Sequence, residues 1–351
     1  MPATMTLADI LMQLTREGEL YEKLPNQRVR CYACGHRCLI PEGRQGVCNV
    51  RFNRGGVLQV PTGYVSALQV DPVEKKPFYH VLPGSLAMSF GMLGCDFHCG
   101  YCQNWLTSQA LRDPEAASSP KQVAADDLVG MAERHRAPIV ASTYNEPLIT
   151  SEWAVEIFRA AKARGLKTAY ISNGNGTLEV LDYLKPWVDL YKVDLKGFND
   201  ANYRKLGGVL QNVLDTIKLL VEKRFWVEIV TLVVPGFNDS DGELTQIAEF
   251  LASVSVDLPW HVTAFHQDYK MRDHANTATS TLLRAAEIGE KAGLRYVYAG
   301  NLPGRVGSHE NTCCPSCRTL LIERRGYTIL KNALTEGACP TCQTSIPGIW
   351  N

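Results

Sequence analysis

Three cysteines, Cys95, Cys99 and Cys102, lie at intervals of four and three residues in the segment CDFHCGYC. Cysteine thiolates bind zinc ions and iron–sulfur clusters. Four cysteines would occupy every iron of a 4Fe–4S cluster, whereas three leave one iron free to bind a further molecule. We therefore predict that these residues hold a catalytic 4Fe–4S cluster. The alternative is a zinc site with a fourth ligand from elsewhere, such as His98.

The chain contains twelve cysteines in three groups, and its 351 residues do not need them as a disulfide scaffold. The first group is CYACGHRC, followed by one more cysteine at position 48. Four thiolates this close can hold zinc in a segment too small to form its own core, or an auxiliary iron–sulfur cluster that relays electrons. Both alternatives stay open. The predicted ligands are Cys31, Cys34, Cys38 and Cys48.

The last group consists of two Cys-x2-Cys pairs separated by 21 residues. This spacing is typical of a zinc ribbon, in which four thiolates surround one zinc ion. Rubredoxin-type iron would fit the same ligands. The neighbouring Cys313 is predicted to lie outside the ligand set. The predicted ligands are Cys314, Cys317, Cys339 and Cys342.

Strand-like and helix-like segments alternate between the outer cysteine groups. The β-rich runs are LAMSF (86–90), IVASTY (139–144), TAYIS (168–172), LYKVDL (190–195), VEIVTLVV (227–234) and HVTAF (261–265). The helical patterns are SEWAVEIFRAAKARG, GVLQNVLDTIKLLVEKR, GELTQIAEFLASV and TLLRAAEIGEKAG. This alternation predicts an α/β fold with a parallel sheet. Six units fit a partial (β/α)6 TIM-like barrel better than a flat doubly wound sheet, and RYVYAG (295–300) can add a short seventh strand.

In such a fold the loops after the strands converge on one edge of the sheet, where ligands bind. CDFHCGYC follows the first strand through the turn GMLG and therefore lies at this edge. Polar side chains follow the later strands as well. The alternative for each of them is an ordinary strand-end residue, such as a solvated carboxylate. The candidate ligand-binding residues are Asn145, Glu146, Ser172, Asn173, Asp194, Lys196 and His266.

The C-x3-C-x2-C spacing, with Tyr101 before the third cysteine, resembles the radical S-adenosylmethionine (SAM) superfamily over residues 85–300. The motifs TYNEP, SNG, VDLK, VVPG and AFH resemble the pyruvate formate-lyase activating enzymes, although Tyr144 and Asn145 replace two glycines. DPVEKKPFYHVLPGS, CQNW, FHQDYKM and the terminal cysteine groups resemble the AmmeMemoRadiSam-system enzymes. Those enzymes are named for Memo-type and AMMECR-type companion proteins.

The resemblance implies that the open iron binds SAM and that an electron cleaves it to a 5'-deoxyadenosyl radical. It also implies SAM contacts for Tyr101 and for the candidate residues at the strand ends. An electron donor, and Memo-type and AMMECR-type proteins, become the expected partners. The segment DPVEKKPFYHVLPG has a composition suited to contacting a substrate or covering a cluster, or else forms a surface turn.

Alternation along the strand YKVDLK sends Lys192, Asp194 and Lys196 to one face, which points into a barrel whose outer face packs on helices. Charges there need partners. By resemblance to the activating enzymes, Ile171 occupies the position of an aspartate that helps hold a cation near SAM. Two alternatives stay open for Lys192: its ammonium replaces that cation, or it forms an ion pair with an acid of a neighbouring strand, such as Glu228.

The chain has 36 basic and 36 acidic residues, and no apolar run approaches the length of a membrane span. We therefore expect no nucleic-acid or membrane partner. The first twenty residues lack a signal-peptide pattern, so a cytoplasmic location is expected. Apolar residues at positions 7, 10, 11 and 14 predict an amphipathic N-terminal helix.

The expected organisation has four parts. Residues 1–60 form an N-terminal helix and four-cysteine module, 61–84 a connecting segment, 85–300 the radical SAM core, and 301–351 a zinc-ribbon-like module. The predicted function is a radical SAM enzyme that abstracts hydrogen from an unidentified substrate, by analogy a glycine of a partner protein. The alternative is an iron–sulfur or zinc adaptor protein without catalysis.

Overall fold

The computed structural model describes residues 7–351 and begins with the predicted amphipathic helix, α1 (Leu7–Gln13). Leu11 of this helix is buried in the main core. Two small antiparallel sheets follow, in the strand orders β1-β6-β5 and β2-β3-β4. Their strands are β1 (Thr15–Glu17), β2 (Tyr21–Leu24), β3 (Arg28–Cys31), β4 (Leu39–Ile40), β5 (Phe52–Arg54) and β6 (Val57–Pro61).

Eight strands form the central sheet, in the order β8-β9-β11-β12-β13-β14-β15-β16, and a short pair, β7 with β10, lies outside it. Only β8 is antiparallel to its neighbour. The bounds are β7 (Tyr64–Val65), β8 (Ala67–Pro72), β9 (Leu86–Gly91), β10 (Lys121–Gln122), β11 (Ile139–Ser142), β12 (Lys167–Ser172), β13 (Leu190–Asp194), β14 (Trp226–Val233), β15 (Trp260–Ala264) and β16 (Val297–Gly300). All six predicted strands and the short seventh are present.

Each parallel strand pairs with the one that precedes it in the sequence, so the strand order has no reversal. Right-handed crossovers then place the connecting helices on one face of the sheet, and the other face encloses the barrel interior. A doubly wound sheet is thereby excluded. The helices are α2 (Trp105–Ser108), α3 (Ala125–Arg134), α4 (Ser151–Ala163), α5 (Leu178–Leu184), α6 (Asp200–Lys205), α7 (Leu210–Glu222), α8 (Asp241–Val254) and α9 (Thr279–Lys291).

The segment expected to be a connection, residues 61–84, instead contributes the edge strand β8 to the sheet. The residues of β8 are half-buried or exposed, so the sequence of this strand shows no clear alternation of apolar and polar positions. The chain then turns inward, and Val73, Phe78 and Val81 pack in a small core with residues of β9 and β11. This part of DPVEKKPFYHVLPG is therefore not a surface turn.

The C-terminal module is a three-stranded antiparallel sheet in the order β17-β18-β19. Its strands are β17 (Thr312–Cys313), β18 (Leu320–Arg325) and β19 (Thr328–Asn332). The module contacts both edges of the central sheet. The Tyr298 hydroxyl of β16 lies 2.9 Å from Thr312 Oγ1, while Val81, between β8 and β9, forms a bridge with Ile349.

No helix within residues 7–351 is both long enough and apolar enough to cross a bilayer.

Candidate active site

A cavity with two adjoining parts opens at the carboxyl ends of the central strands. The inner chamber, of about 130 Å³, and the outer chamber, of about 330 Å³, share several lining residues, so they form one continuous space. Most of the predicted strand-end residues meet here. The inner chamber is lined by Cys95, Cys99, Cys102, Asn145, Glu146, Asn173, Asp194 and Lys196, among others.

The three cysteines follow β9, which can end close to the next loop because residue 91 is glycine. A Cβ at Gly91 would lie 2.4 Å from the Thr143 carbonyl oxygen. Phe97 N donates to Cys95 Sγ at 3.4 Å, and the Ser108 hydroxyl lies 3.2 Å from Cys102 Sγ. Hydrogen bonds to sulfur are typical of iron–sulfur sites. Three thiols that line one chamber are a donor set that fits a 4Fe–4S cluster with one open iron.

Burial controls the protonation of these thiols. It raises the pKa of Cys99 to about 12, with the neighbouring Cys102 and Asp194 adding to the effect and Lys196 opposing it. Burial also raises the pKa of Cys95 and Cys102. Because metal ions bind thiolates, loading this site with metal must release protons.

The predicted zinc alternative with His98 as fourth ligand does not agree with the structure. His98 is exposed and its ring lies against Gly207, where an added Cβ would be 2.5 Å from His98 Cε1. The residue does not line either chamber. The physical reason is that His98 N donates to Leu206 O at 2.9 Å, which turns this part of the loop toward the α6–α7 connection.

Asp96, which the sequence analysis did not single out, ties the cysteine segment to the loop after β12. Its fully buried carboxylate accepts from Asn173 Nδ2 at 2.7 Å and from Asn175 Nδ2 at 2.8 Å. His36 Nε2 of the N-terminal module lies 3.9 Å away. The available signal in the sequence was that an acidic residue, Asp96, directly follows Cys95. Its hydrogen-bond partners are remote in the sequence, so the sequence did not indicate them.

Glu146 is buried, not solvated, and it organises the neighbouring strand end. It accepts hydrogen bonds from Ser172 Oγ and Asn173 N, both at 2.7 Å, and from Leu148 N at 3.1 Å. Burial, together with the charge of Asp96, raises the pKa of Glu146 to about 8. Ser172 thus supports Glu146 and does not line the cavity.

Tyr144 keeps a backbone conformation that favours glycine, with φ of +69°. The activating-enzyme motif that this loop resembles has glycine at this position. Tyr144 therefore keeps the positive φ and adds a side chain. The Tyr144 hydroxyl lies 3.1 Å from Lys76 Nζ and donates to Asp71 at 3.3 Å. Asn145 Oδ1 accepts from Met92 N at 3.0 Å, which fixes the loop against the end of β9.

Lys192, Asp194 and Lys196, here called the inner lysine–aspartate cluster, point into the cavity as strand alternation predicted. Asp194 binds Lys192 Nζ at 2.5 Å and Lys196 Nζ at 3.5 Å. The alternative pair of Lys192 with Glu228 is wrong, because Glu228 accepts bonds from the backbone of Tyr79 and His80 and from two ring nitrogens. Burial lowers the pKa of Lys192, while Asp194 opposes this effect.

Two other candidate SAM contacts have different positions. Tyr101 is buried, lines the outer chamber and packs edge-on against Phe237 at a ring distance of 5.8 Å. His266 is exposed, lies 2.8 Å from Gln103 Nε2 and is not among the residues that line the two chambers. Its contact with SAM stays a prediction.

The C-terminal cysteines form the most compact group of potential metal ligands within residues 7–351. Their four sulfurs all lie within 4.8 Å of one another, with Cys314 Sγ 3.5 Å from Cys342 Sγ and Cys317 Sγ 3.6 Å from Cys339 Sγ. A metal–sulfur distance of about 2.3 Å in a tetrahedron needs sulfurs this close. Cys313 is outside the group.

The N-terminal cysteines lie next to the catalytic segment. Gly35 N donates to Asn175 O at 2.8 Å, and Asn175 also binds Asp96. Burial raises the pKa of Cys34, and the charges of Asp96 and Cys31 raise it further. Asn175 and Asp96 therefore connect the N-terminal cysteine segment to the loop that carries Cys95. This connection is consistent with either of the two predicted metals.

Comparison with known proteins identifies the family. Residues 91–251, which include the three cavity cysteines, match the Radical SAM superfamily. The chain belongs to the radical SAM superfamily. Over 311 residues it is 38% identical to an uncharacterized protein of Methanocaldococcus jannaschii, covering 88% of this chain and 91% of that protein.

Other radical SAM proteins are similar over shorter stretches. Pyruvate formate-lyase 1-activating enzyme of Escherichia coli K12 is 28% identical over 236 residues, which are 62% of this chain and 93% of that enzyme. Among solved structures, a radical SAM methyltransferase from Sphaerobacter thermophilus has a TM-score of 0.48 at 18% identity, with 69% of this chain and 71% of that chain covered. SuiB of Streptococcus suis has the same TM-score at 13% identity, with 65% and 52% covered.

Proposed function

We propose that this protein is a radical SAM enzyme that cleaves SAM reductively and abstracts hydrogen from a substrate. A 4Fe–4S cluster on Cys95, Cys99 and Cys102 would supply one electron, which breaks a carbon–sulfur bond of SAM to give methionine and the 5'-deoxyadenosyl radical. That radical would then take a hydrogen atom from the substrate. An external electron donor is required to balance the step.

The observation that carries the proposal is the convergence of the three thiols and the strand-end polar residues on one cavity. We assign the charged groups of the inner lysine–aspartate cluster to the SAM carboxylate, because its two ammonium groups share one aspartate. Asn145, Glu146 and Asn173 line the same chamber and provide oxygen acceptors for the SAM amino group. Tyr101 borders the space left for the rest of SAM, while Ser172 acts by holding Glu146.

The substrate and partners are proposed by analogy. The similarity to the pyruvate formate-lyase 1-activating enzyme suggests a glycine of a partner protein as the hydrogen donor, and the AmmeMemoRadiSam resemblance suggests Memo-type and AMMECR-type companions. We propose a cytoplasmic location and no nucleic-acid or membrane partner. The adaptor alternative explains the metal modules, but it does not explain a buried charged cavity beside three converging thiols.

SAM cleavage tests the proposal directly. The protein is reconstituted with iron and sulfide without oxygen, mixed with SAM and dithionite, and assayed for 5'-deoxyadenosine. We expect Cys95→Ala, Cys99→Ala and Cys102→Ala each to abolish the product, because thiolate ligation holds the cluster. Cys313→Ala is the matched control and should keep the activity. Product from all three cavity variants, or none from the wild type, would contradict the proposal.

The terminal cysteines are proposed to bind metals of their own. We propose zinc at the compact C-terminal group, and zinc or an auxiliary iron–sulfur cluster at the N-terminal group. Cys339→Ala should remove about one zinc per chain and leave the visible iron–sulfur absorbance unchanged, since the closed site is separate from the cavity. Cys34→Ala should lower either the zinc or the iron content. Elemental analysis distinguishes the two, and loss of iron from Cys339→Ala would show that the C-terminal metal is not zinc.

A further inference from the structure

A second pair of lysines shares one aspartate at the entrance to the outer chamber. Lys75 Nζ and Lys76 Nζ each lie 2.8 Å from a different oxygen of Asp71. Lys76 is 5% exposed, whereas the side chain of Lys75 is 48% exposed at the rim. Both lysines line the outer chamber. We call these three residues the outer lysine–aspartate cluster.

The charges within the two lysine–aspartate clusters do not balance. Each lysine–aspartate cluster has two ammonium groups and one carboxylate, which leaves one positive charge over in each. Glu146 lines the inner chamber and not the outer one, so it does not offset the charge of the outer cluster. Burial lowers the pKa of Lys76, and the nearby Lys192 lowers it further, although Asp71 opposes both effects. A buried ammonium without full compensation is a strong attractor of oxyanions.

Two tyrosines line the outer chamber beside these lysines. The Tyr144 hydroxyl lies 3.1 Å from Lys76 Nζ, and the Lys76 ammonium lies 4.8 Å from the centre of the Tyr144 ring. Tyr327 comes from the turn between β18 and β19 and lines the outer chamber. The C-terminal module thus provides one wall of the cavity.

We propose that the outer lysine–aspartate cluster binds the anionic group, phosphate or carboxylate, of a small organic substrate, which takes the place of the partner-protein glycine suggested by analogy. This inference rests on the proposed function, in which the SAM carboxylate uses the surplus charge of the inner cluster and leaves the outer one free. The outer chamber reaches from Lys76 to Cys99 and Cys102, so a molecule held by its anion at Lys76 extends toward the reacting end of SAM.

Anion binding can be measured without turnover. Inorganic phosphate and succinate are titrated calorimetrically into the full-length, anaerobically reconstituted protein with SAM present, at constant ionic strength. The two probes distinguish a phosphate site from a carboxylate site. We expect at least one of them to bind, and Lys76→Met to weaken binding about tenfold or more, as for a hydrogen bond between charged groups. Lys75→Met, at the exposed rim, should weaken binding less and serves as a second variant that keeps the buried packing.

Two further variants complete the design. Asp71→Asn removes the compensating carboxylate and should tighten binding, whereas Lys121→Met, an exposed lysine on β10, should leave it unchanged. Failure of both probes to bind, or equal binding by wild type and Lys76→Met, would overturn the inference and favour a partner-protein loop as occupant. Wild-type cleavage of SAM without anion binding would remove only this inference. Anion binding without SAM cleavage would remove only the proposed function.

Discussion

At the scale of single residues, the buried ion pair between Arg51 and Glu152 joins the N-terminal module to α4. The two terminal guanidinium nitrogens, Nη1 and Nη2, each donate to the carboxylate at 2.7 Å, and the two side chains are 1% and 0% exposed. The backbone N–H groups of Glu19 and Leu20 also donate to Glu152, at 3.2 and 3.4 Å. The ion pair therefore fixes the position of the N-terminal module, whose cysteines lie next to the segment that carries Cys95, Cys99 and Cys102.

Arg51→Met should destabilise the protein by about 3–5 kcal/mol, because it leaves the Glu152 carboxylate buried without a partner. The double variant Arg51→Met/Glu152→Met should recover much of this loss, since it leaves no buried charge. Urea unfolding of the metal-loaded protein measures both. Arg204→Met, in an exposed pair whose side chains are 63% and 50% exposed, is the control and should cost less than about 1 kcal/mol. Equal stability of Arg51→Met and wild type would contradict the prediction.

The importance of Asp96 shows the limit of sequence reasoning at this scale. Its partners Asn173 and Asn175 are 77 and 79 residues away, and no local pattern specifies such long-range hydrogen bonds. The spacing of Cys95, Cys99 and Cys102, by contrast, is a local signal, and the three cysteines line one chamber.

At the scale of elements, long apolar segments with a clear period were predictable and weakly buried ones were not. The parallel strands are buried on both faces and appear as nearly continuous apolar runs, as in VEIVTLVV. The edge strand β8 lacks this pattern because it is half-buried or exposed along its length. The helices α2, α3, α5 and α6 were missed as well; they have 4 to 10 residues, against 13 or 14 in the four helices that the sequence predicted between the parallel strands.

Strand β13 and the two residues that follow it supplied the most informative alternation, because they placed three charged side chains on the cavity face. We expect Lys192→Met to weaken SAM binding about tenfold, since it removes one of the two ammonium groups on Asp194. Added sodium or potassium should partly restore the affinity if the lysine stands in for a bound cation. Equilibrium binding of SAM to the reconstituted protein measures the effect.

Lys23→Met is a suitable control for that measurement, because the side chain of Lys23 is 63% exposed and remote from the cavity. Unchanged SAM affinity in Lys192→Met would exclude a role for this lysine. Weakened affinity that no salt restores would keep the ammonium as a SAM ligand but not as a substitute for a cation.

At the scale of the whole molecule, His80 joins the core to the C-terminal module. Its ring nitrogens lie 2.6 Å from Pro347 O and 2.7 Å from the Tyr298 hydroxyl. Burial lowers the pKa of His80 from 6.5 to about 4, against the opposing charge of Glu228. The folded protein therefore keeps this histidine neutral at pH values where the unfolded chain protonates it.

Stability should fall as the pH drops from about 6.5 to 4, because the unfolded chain then binds the extra proton. The full effect of His80 is about 3 kcal/mol, and about 2 kcal/mol is expected between pH 7 and 5. Glu228, whose pKa is lowered by its bond to His261 in spite of burial, adds a loss of the same sign at lower pH. Denaturant unfolding at a series of pH values measures the slope. His80→Gln should flatten it, and an equal slope in variant and wild type would contradict the assignment.

The sequential strand order has a consequence for how the chain acquires its shape during synthesis. Each parallel strand finds its partner in the strand made just before it, so the sheet can grow as the chain leaves the ribosome. Tyr327, which walls the outer chamber, lies beyond all of these strands in the C-terminal module. We therefore expect the cysteine loop to be in place before the entrance is finished. If the C-terminal cysteines bind the metal proposed above, we expect a chain without that metal to form the inner chamber but not the complete entrance to the outer one. Such a chain would then cleave SAM with a reduced selectivity for its substrate.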